Sequence, residues 1–196
     1  MSNLTSDARA GALRELATLK GLRVTLVPLG PEHFEPLWTG LQDEESARLT
    51  GTTAQFDRET VVTHLRRIGT AADRADWAIL HAGTGEYIGE VVLNELDDDN
   101  AAMNFRIALL ADHLGQGFGT EATGLVLDHA FSALGLHRVS LEVYAFNPRA
   151  QRSYEKAGFI VEGRLRDALR WDGEWVDAIV MSVLSTDPRP GAARVA

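Results

Sequence analysis

The spacing of apolar positions along this 196-residue chain changes period several times, and the changes divide it into elements. Residues 6–19 set Ala12, Leu13 and Leu16 on one helical stripe, a short amphipathic extension at the N-terminal side. GLRVTLVPL reads as a strand ending at Pro28. PEHFEPLWTGL and EESARLT read as helices, and DRETVVTHLRRIGTAAD more firmly so, with Val61, Leu65 and Ile68 at helical spacing. From there the period falls to two. ADWAILHAG and EYIGEVVLNEL are strands separated by Gly83-Thr84-Gly85, a hairpin signal. After the break at DDDN, AAMNFRIALL alternates Phe105, Ile107 and Leu109 with Asn104, Arg106 and Ala108.

The second half is punctuated by glycine. LGQGFGTEATG, residues 114–124, leads into a helix closed by Gly135 in a C′ role. HRVSLEVYAF alternates cleanly, with Val139, Leu141 and Val143 inward. NPRAQRSYEKAG is a compact helix in which Asn147 suits the N-cap, Pro148 the first helical position and Gly158 the exit. FIVEGRLRDALRW and EWVDAIVMSVL flank Asp172-Gly173, a strong hairpin turn. No internal repeat or linker is evident, which points to one α/β domain preceded by an extension at 1–20 and followed by a flexible tail at 187–196.

Composition narrows the function classes. At 45% hydrophobic and 24% charged residues the chain is ordinary for a globular protein with a sizeable core. The net charge of −9 argues against a nucleic-acid or anionic-membrane binder, so an anion site has to be made locally. Such an acidic surface serves solubility and also suits an amine-bearing partner. With no cysteine there is no disulfide, thiolate zinc site or cysteine nucleophile. No apolar run approaches the ~18 residues of a membrane span, and MSNLTSDARAGALRELATLKG lacks the apolar core of a secretory signal, so a cytoplasmic location is expected. The six histidines show no ligand spacing and no metal site is expected; the four tryptophans read as packing residues.

The candidate chemistry begins at Gly115, Gly117 and Gly119. A loop that drops its side chains just before a helix brings main-chain N–H groups close to an anion. It is not a P-loop, because no Gly-Lys-Ser/Thr follows, and it stands past mid-chain, unlike a dinucleotide fingerprint. About thirty residues on come a strand ending at Asn147, a short helix carrying Tyr154, and Gly158-Phe159. This succession, Gln-Gly-x-Gly-Thr-Glu-Ala followed by Asn-x-x-x-x-x-x-Tyr-Glu-Lys-x-Gly-Phe, resembles the GNAT superfamily of N-acetyltransferases. The closing Asp-Gly-Glu-Trp-x-Asp hairpin resembles their RimJ/RimL-like branch. The resemblance covers about residues 22–185, with the acetyltransferase domain placed at 21–186.

That resemblance implies an α/β fold with a mixed, mostly antiparallel twisted sheet of about seven strands flanked by helices, two neighbouring strands splaying apart at the cofactor slot. The anion would be the pyrophosphate of acetyl-CoA, cradled by the backbone of Gly115, Gln116, Gly117, Phe118, Gly119 and Thr120. Ile107, Ala108 and Leu109 would bind the pantetheine arm as an added strand and lend amides to the carbonyl oxygen. Asn147 would face the cofactor, and Arg152, with Arg149, would meet its 3′-phosphate. Tyr154 would protonate the departing sulfur. Leu114 and Ala150 depart from residues common in the family, without touching the backbone cradle.

Glu90 and Glu142 stand on strands among apolar neighbours and are the two candidates for a base, although positioning alone can suffice. Asp177 would hold the hairpin or line the acceptor site. The expected reaction is direct attack of a primary amine within a ternary complex. The acceptor is a protein N-terminal α-amine or a small amine such as a polyamine, amino acid or antibiotic. A non-catalytic acyl-CoA-binding module is the alternative from another class, and a homodimer is compatible with the resemblance.

Overall fold

The computed structural model describes residues 4–189; of the expected tail, residues 190–196 lie outside them. Eight strands form one sheet in the order β1-β2-β3-β4-β5-β6-β8-β7. They are β1 (Leu19–Lys20), β2 (Val24–Pro28), β3 (Ala75–His81), β4 (Tyr87–Asp97), β5 (Ala102–Leu109), β6 (Arg138–Tyr144), β7 (Ile160–Trp171) and β8 (Glu174–Leu184). All neighbours are antiparallel except β5 and β6. The helices are α1 (Ser6–Arg14), α2 (Phe34–Leu41), α3 (Glu44–Thr50), α4 (Arg58–Ile68), α5 (Phe118–Ser132) and α6 (Pro148–Ala157).

Strand alternation sorts the apolar residues onto two faces. Trp77 and Ile79 of β3, Val91 and Leu93 of β4, Met103 and Phe105 of β5, and Val139, Leu141 and Val143 of β6 pack with Val126, Leu127 and Ala130 of α5 and Tyr154 and Ala157 of α6. The opposite face buries Ala78 and Tyr87 under Leu37 of α2 and Val61, Leu65 and Ile68 of α4. Helix α1 belongs to the first face. Leu13 enters that core, and the buried Arg9 pairs with Asp98 while donating to the Leu134 carbonyl at 2.9 Å.

Capping matches the expected sequence signals. Asn147 Oδ1 accepts the Ala150 amide at 3.1 Å, Pro148 opens α6, and Gly158 ends it in the left-handed region at φ 105°. Gly135 is left-handed as well, but it lies two residues past the C-cap Ala133 of α5, one step beyond the expected position. Asp172 and Gly173 both have positive φ, the requirement of a type I′ turn between β7 and β8. The β7 strand is exposed over nearly its whole length and ends the sheet.

Two irregularities open the sheet. The parallel β5–β6 pairing runs only from Ala102↔Arg138 to Asn104↔Ser140, although β5 continues to Leu109 and β6 to Tyr144. Beyond that point the strands part. The second is a bulge in β4 opposite Ile79 and Leu80, which pair with Gly89 and Tyr87 and leave Ile88 as the extra residue. Tyr87 and Ile88 point to opposite faces, and strict alternation from Ile88 would drive Glu90 into the α5 core; the bulge turns it to the other face.

Candidate active site

The loop before α5 has the geometry of an anion cradle. Gly115 and Gly117 have φ of 74° and 88°, a region that costs residues with a Cβ about 1–2 kcal/mol. Glu121 is where the helical ladder begins, its amide donating to the Gly117 carbonyl at 3.2 Å. The amides of residues 115–120 have no hydrogen-bond partner among the described residues. Six free N–H groups at a helix N-terminus are a strong site for a diphosphate.

The side chains of this loop do other work. Phe118 is buried against His81, with ring centroids 5.5 Å apart, and Arg23 lies over its face at 4.4 Å. Gln116 Nε2 donates to the Asp112 carbonyl at 2.8 Å, and neither Gln116 nor Phe118 lines the cavity. Arg23 also donates to the Gln116 carbonyl at 2.6 Å. In a trans peptide the C=O and the next N–H point in opposite directions. By drawing the carbonyl outward, Arg23 aims the Gly117 amide back toward the cavity. Thr120 Oγ1 lies 2.7 Å from Ser153 Oγ and ties α5 to α6.

The cavity beside this loop is about 310 Å³ and follows the β5–β6 splay. Its walls include Ile107, Ala108 and Leu109, Gly115, Gly117, Gly119 and Thr120, and Asn147 and Tyr154. The Leu110 amide donates to Ile88 of β4, so by alternation the amides of Leu109 and Ile107 face the splay rather than the sheet. Arg149, Arg152 and Lys156, spaced along one side of α6, add cations to the rim. Asn147 is buried and committed: its Oδ1 caps α6 and its Nδ2 reaches the Leu49 carbonyl at 3.4 Å. These residues fit acetyl-CoA, because the free amides, open strand edge and cations match its diphosphate, amide-bearing arm and phosphate in order.

Tyr154 is 9% exposed and its ring packs edge-on against Phe105 and Phe159. Its hydroxyl makes no hydrogen bond among the described residues, yet is not sealed from the cavity it lines. Burial pushes the phenol up to about 12, with Arg106 opposing. It therefore stays a proton donor throughout the working pH range.

A second cleft, about 600 Å³, lies on the other face between the sheet and helices α2, α3 and α4. Glu90 lines it. Burial, then the Asp76 carboxylate, push Glu90 up to about 7, against the pull of Arg106 and Arg74. Arg74 holds Asp76 in a two-point bridge at 2.7 and 2.6 Å. His64, half-buried on α4, is lowered by burial and then by Arg74, which keeps it neutral. Glu142, by contrast, is exposed on β6 and faces the cavity beside the 115–120 loop. Asp177 lines neither space: it pairs with Arg164 and accepts the Asp167 amide at 2.8 Å, pinning the bulge in β7.

Cavity and cleft meet along β5 and at Ser46 and Thr50 of α3. Arg106, Ile107, Ala108 and Leu109 line both. The loop, the strand edge, Tyr154 and Glu90, named from the sequence, line these two spaces. Sequence reasoning did not find Arg23, Arg74, Asp76, His64 or Arg106, whose roles depend on contacts between distant elements. For Asp76 and Arg74 a faint signal existed, a charged pair opening an otherwise apolar strand.

Residues 23–160 match the family model described as "Acetyltransferase (GNAT) domain". The chain belongs to the GNAT family, N-acetyltransferases that take their acyl group from acetyl-CoA. It is 31% identical over 165 residues, 83% of this chain and 93% of the other, to Uncharacterized N-acetyltransferase YoaA of Bacillus subtilis. It is 33% identical over 99 residues to Spermidine N(1)-acetyltransferase of Vibrio cholerae, half of this chain and 57% of that one. The solved spermidine N-acetyltransferase from Vibrio cholerae, in complex with CoA and spermine, superposes with a TM-score of 0.80 at 22% identity, covering 85% of this chain and 98% of that one, and shares the fold. The match spans about half the length of the first curated relatives, 57% and 41%.

Proposed function

We propose that this chain transfers an acetyl group from acetyl-CoA, bound along the 115–120 loop and the β5–β6 splay, to a primary amine entering from the cleft under α2–α4. The observation that carries the reading is the shared strand: residues 106–109 line both spaces, so donor and acceptor are brought together across one strand edge. When bound, acetyl-CoA supplies an activated thioester carbonyl. Glu90, with a pKa near neutrality, accepts a proton from the incoming ammonium, directly or through water, and leaves the neutral amine that can attack. The splay-facing amides of Ile107 and Leu109 hold the charge that develops on the carbonyl oxygen. The Tyr154 hydroxyl donates to the sulfur as it departs. Glu142 is the lesser candidate for the base, being exposed on the coenzyme side. Arg149, Arg152 and Lys156 meet the terminal phosphate, and Asn147 keeps the start of α6 in place.

A protein N-terminal α-amine as acceptor is supported by the resemblance of the Asp172–Asp177 hairpin to the RimJ/RimL-like branch. A small-molecule amine is supported by the size of the cleft, about 600 Å³, and by the name of the Vibrio cholerae relative. A homodimer would cover the outer hairpin, where Ile160, Val161, Leu165 and Trp175 are exposed. A cytoplasmic setting accords with the use of acetyl-CoA. Among the described residues no helix is long and apolar enough to cross a membrane. The test is incubation with labelled acetyl-CoA and a desalted lysate supplemented with small amines. Label in the macromolecular fraction supports protein acetylation, and label in the small-molecule fraction supports a metabolite acceptor. Label in neither, with acetyl-CoA binding intact, contradicts the transferase reading and favours an acyl-CoA-binding module.

A further inference from the structure

We infer that the preferred acceptor is an amine that carries its own carboxylate close by, such as an α-amino acid, and that Arg106 is the group that selects it. The inference rests on the proposed transferase reading and goes beyond it by naming the substrate class. Arg106 of β5 and Glu90 of β4 stand on the same sheet face. Glu90 is opposite Ala108 and Arg106 is opposite Val92, so the two are diagonal neighbours. Side chains at such positions are roughly 7–8 Å apart at their origins. They do not pair with each other, and neither has a hydrogen bond or ion pair to any described residue. One free carboxylate and one free guanidinium therefore face a single cleft. Their complement is a ligand with an ammonium and a carboxylate a few ångströms apart. Its amine meets Glu90, and its carboxylate meets the planar fork of Arg106.

The same inventory argues against a polycation. A polyamine needs several anions along its length, and the cleft has a second one only in Asp76, whose two oxygens are already held by Arg74. With that bridge neutral, the remaining charges are Arg106 and Glu90. Once Glu90 takes up a proton the cleft is net positive, which repels a second ammonium. The polar remainder of the wall, with Thr52, Thr60 and Asn94, is uncharged.

The test compares amines that differ only in the carboxylate. Thiol release from acetyl-CoA is followed with a panel of L-amino acids, the matching amino-acid amides, and spermidine. At least one amino acid is expected to be turned over with a kcat/KM roughly 10- to 100-fold above its amide, the range for a hydrogen-bonded charge pair, and above spermidine. In Arg106→Gln the acid-to-amide ratio is expected to fall toward one through KM for the acid, and Arg106→Lys to restore part of it. Amides equal to or better than acids, spermidine preferred over every amino acid, or a ratio unchanged in Arg106→Gln would overturn the inference. So would acetyl-CoA binding, measured by calorimetry, without turnover of any amine in the panel. If acetyl-CoA itself does not bind, the transferase reading fails first and the inference falls with it, a distinguishable result.

Discussion

The two sides of the site are made of different material. On the coenzyme side the chain presents main chain: six unpartnered amides at 115–120 and the free edge of β5 at Ile107 and Leu109. On the acceptor side it presents side chains: Glu90, Arg106, the Arg74–Asp76 bridge and His64, drawn from α4 and three strands. A backbone cradle needs only that side chains be absent, so its signature is local and glycine-rich. A side-chain cleft depends on which distant residues meet. The first recognises a feature common to every molecule of its ligand class. In the proposed reading the second sets what the acceptor is.

The largest predicted effect breaks the backbone side. Gly117→Val places a β-branched residue at φ 88°, with its Cβ 3.2 Å from an Arg23 nitrogen, and forces the loop and its amides out of their cradle geometry. We expect acetyl-CoA affinity to fall at least ~100-fold, about the loss of 3 kcal/mol of charge-assisted bonding, with the fold intact by circular dichroism. Unchanged affinity in calorimetry would remove the cradle.

Next in size is the junction between the sides. Tyr154→Phe is expected to lower kcat by about 10²-fold, within the usual worth of a general acid, with little change in acetyl-CoA affinity. Because the hydroxyl lacks a protein partner, its loss should scarcely alter Tm. Full activity would leave Tyr154 a packing residue between Phe105 and Phe159.

The acceptor side is tested through pH. If Glu90 is the base, activity rises with pH through about 7, and Glu90→Gln flattens that limb while lowering kcat. The same shift has a stability consequence. A carboxylate that titrates near 4.5 unfolded and near 7 folded imposes a cost that is absent below about pH 4.5, grows between the two values and is complete above about 7. Glu90→Gln should therefore raise Tm at pH 8 and not at pH 4. Glu142→Gln should leave the limb in place; if it moves the limb instead, the base is Glu142.

The smallest effects sharpen the comparison. Arg23→Met leaves every cavity wall intact but frees the 116–117 peptide, and we expect KM for acetyl-CoA to rise several-fold, the worth of about one hydrogen bond, at constant kcat. S-acetylpantetheine, which lacks the diphosphate, should be indifferent to the change. Equal effects on both donors would show that Arg23 only supports the fold.

The uneven legibility of the molecule follows from the same contrast. Alternation and turn residues were enough to read seven of the eight strands, missing only the two-residue β1, too short to show a period; Asn147, Pro148 and Gly158 marked α6 because capping is a local matter. The glycines announced the cradle for the same reason. Glu90 was visible only as a carboxylate among apolar residues, and which way it faces is decided by a bulge at Ile88 that strict alternation does not foresee. Arg106 read as an ordinary outward strand residue. Its position opposite Val92, on the face that Glu90 shares, comes from strand register. Arg23, nearly a hundred positions before Gln116, left no local sign at all.

The most direct measurement is the amide spectrum of the labelled protein during titration with acetyl-CoA and, separately, with S-acetylpantetheine. The account predicts that the amide protons of residues 115–120 shift strongly downfield with acetyl-CoA and stay in place with S-acetylpantetheine, while those of Ile107 and Leu109 respond to both. Loop amides that ignore acetyl-CoA, or move equally with the donor that has no diphosphate, would contradict it.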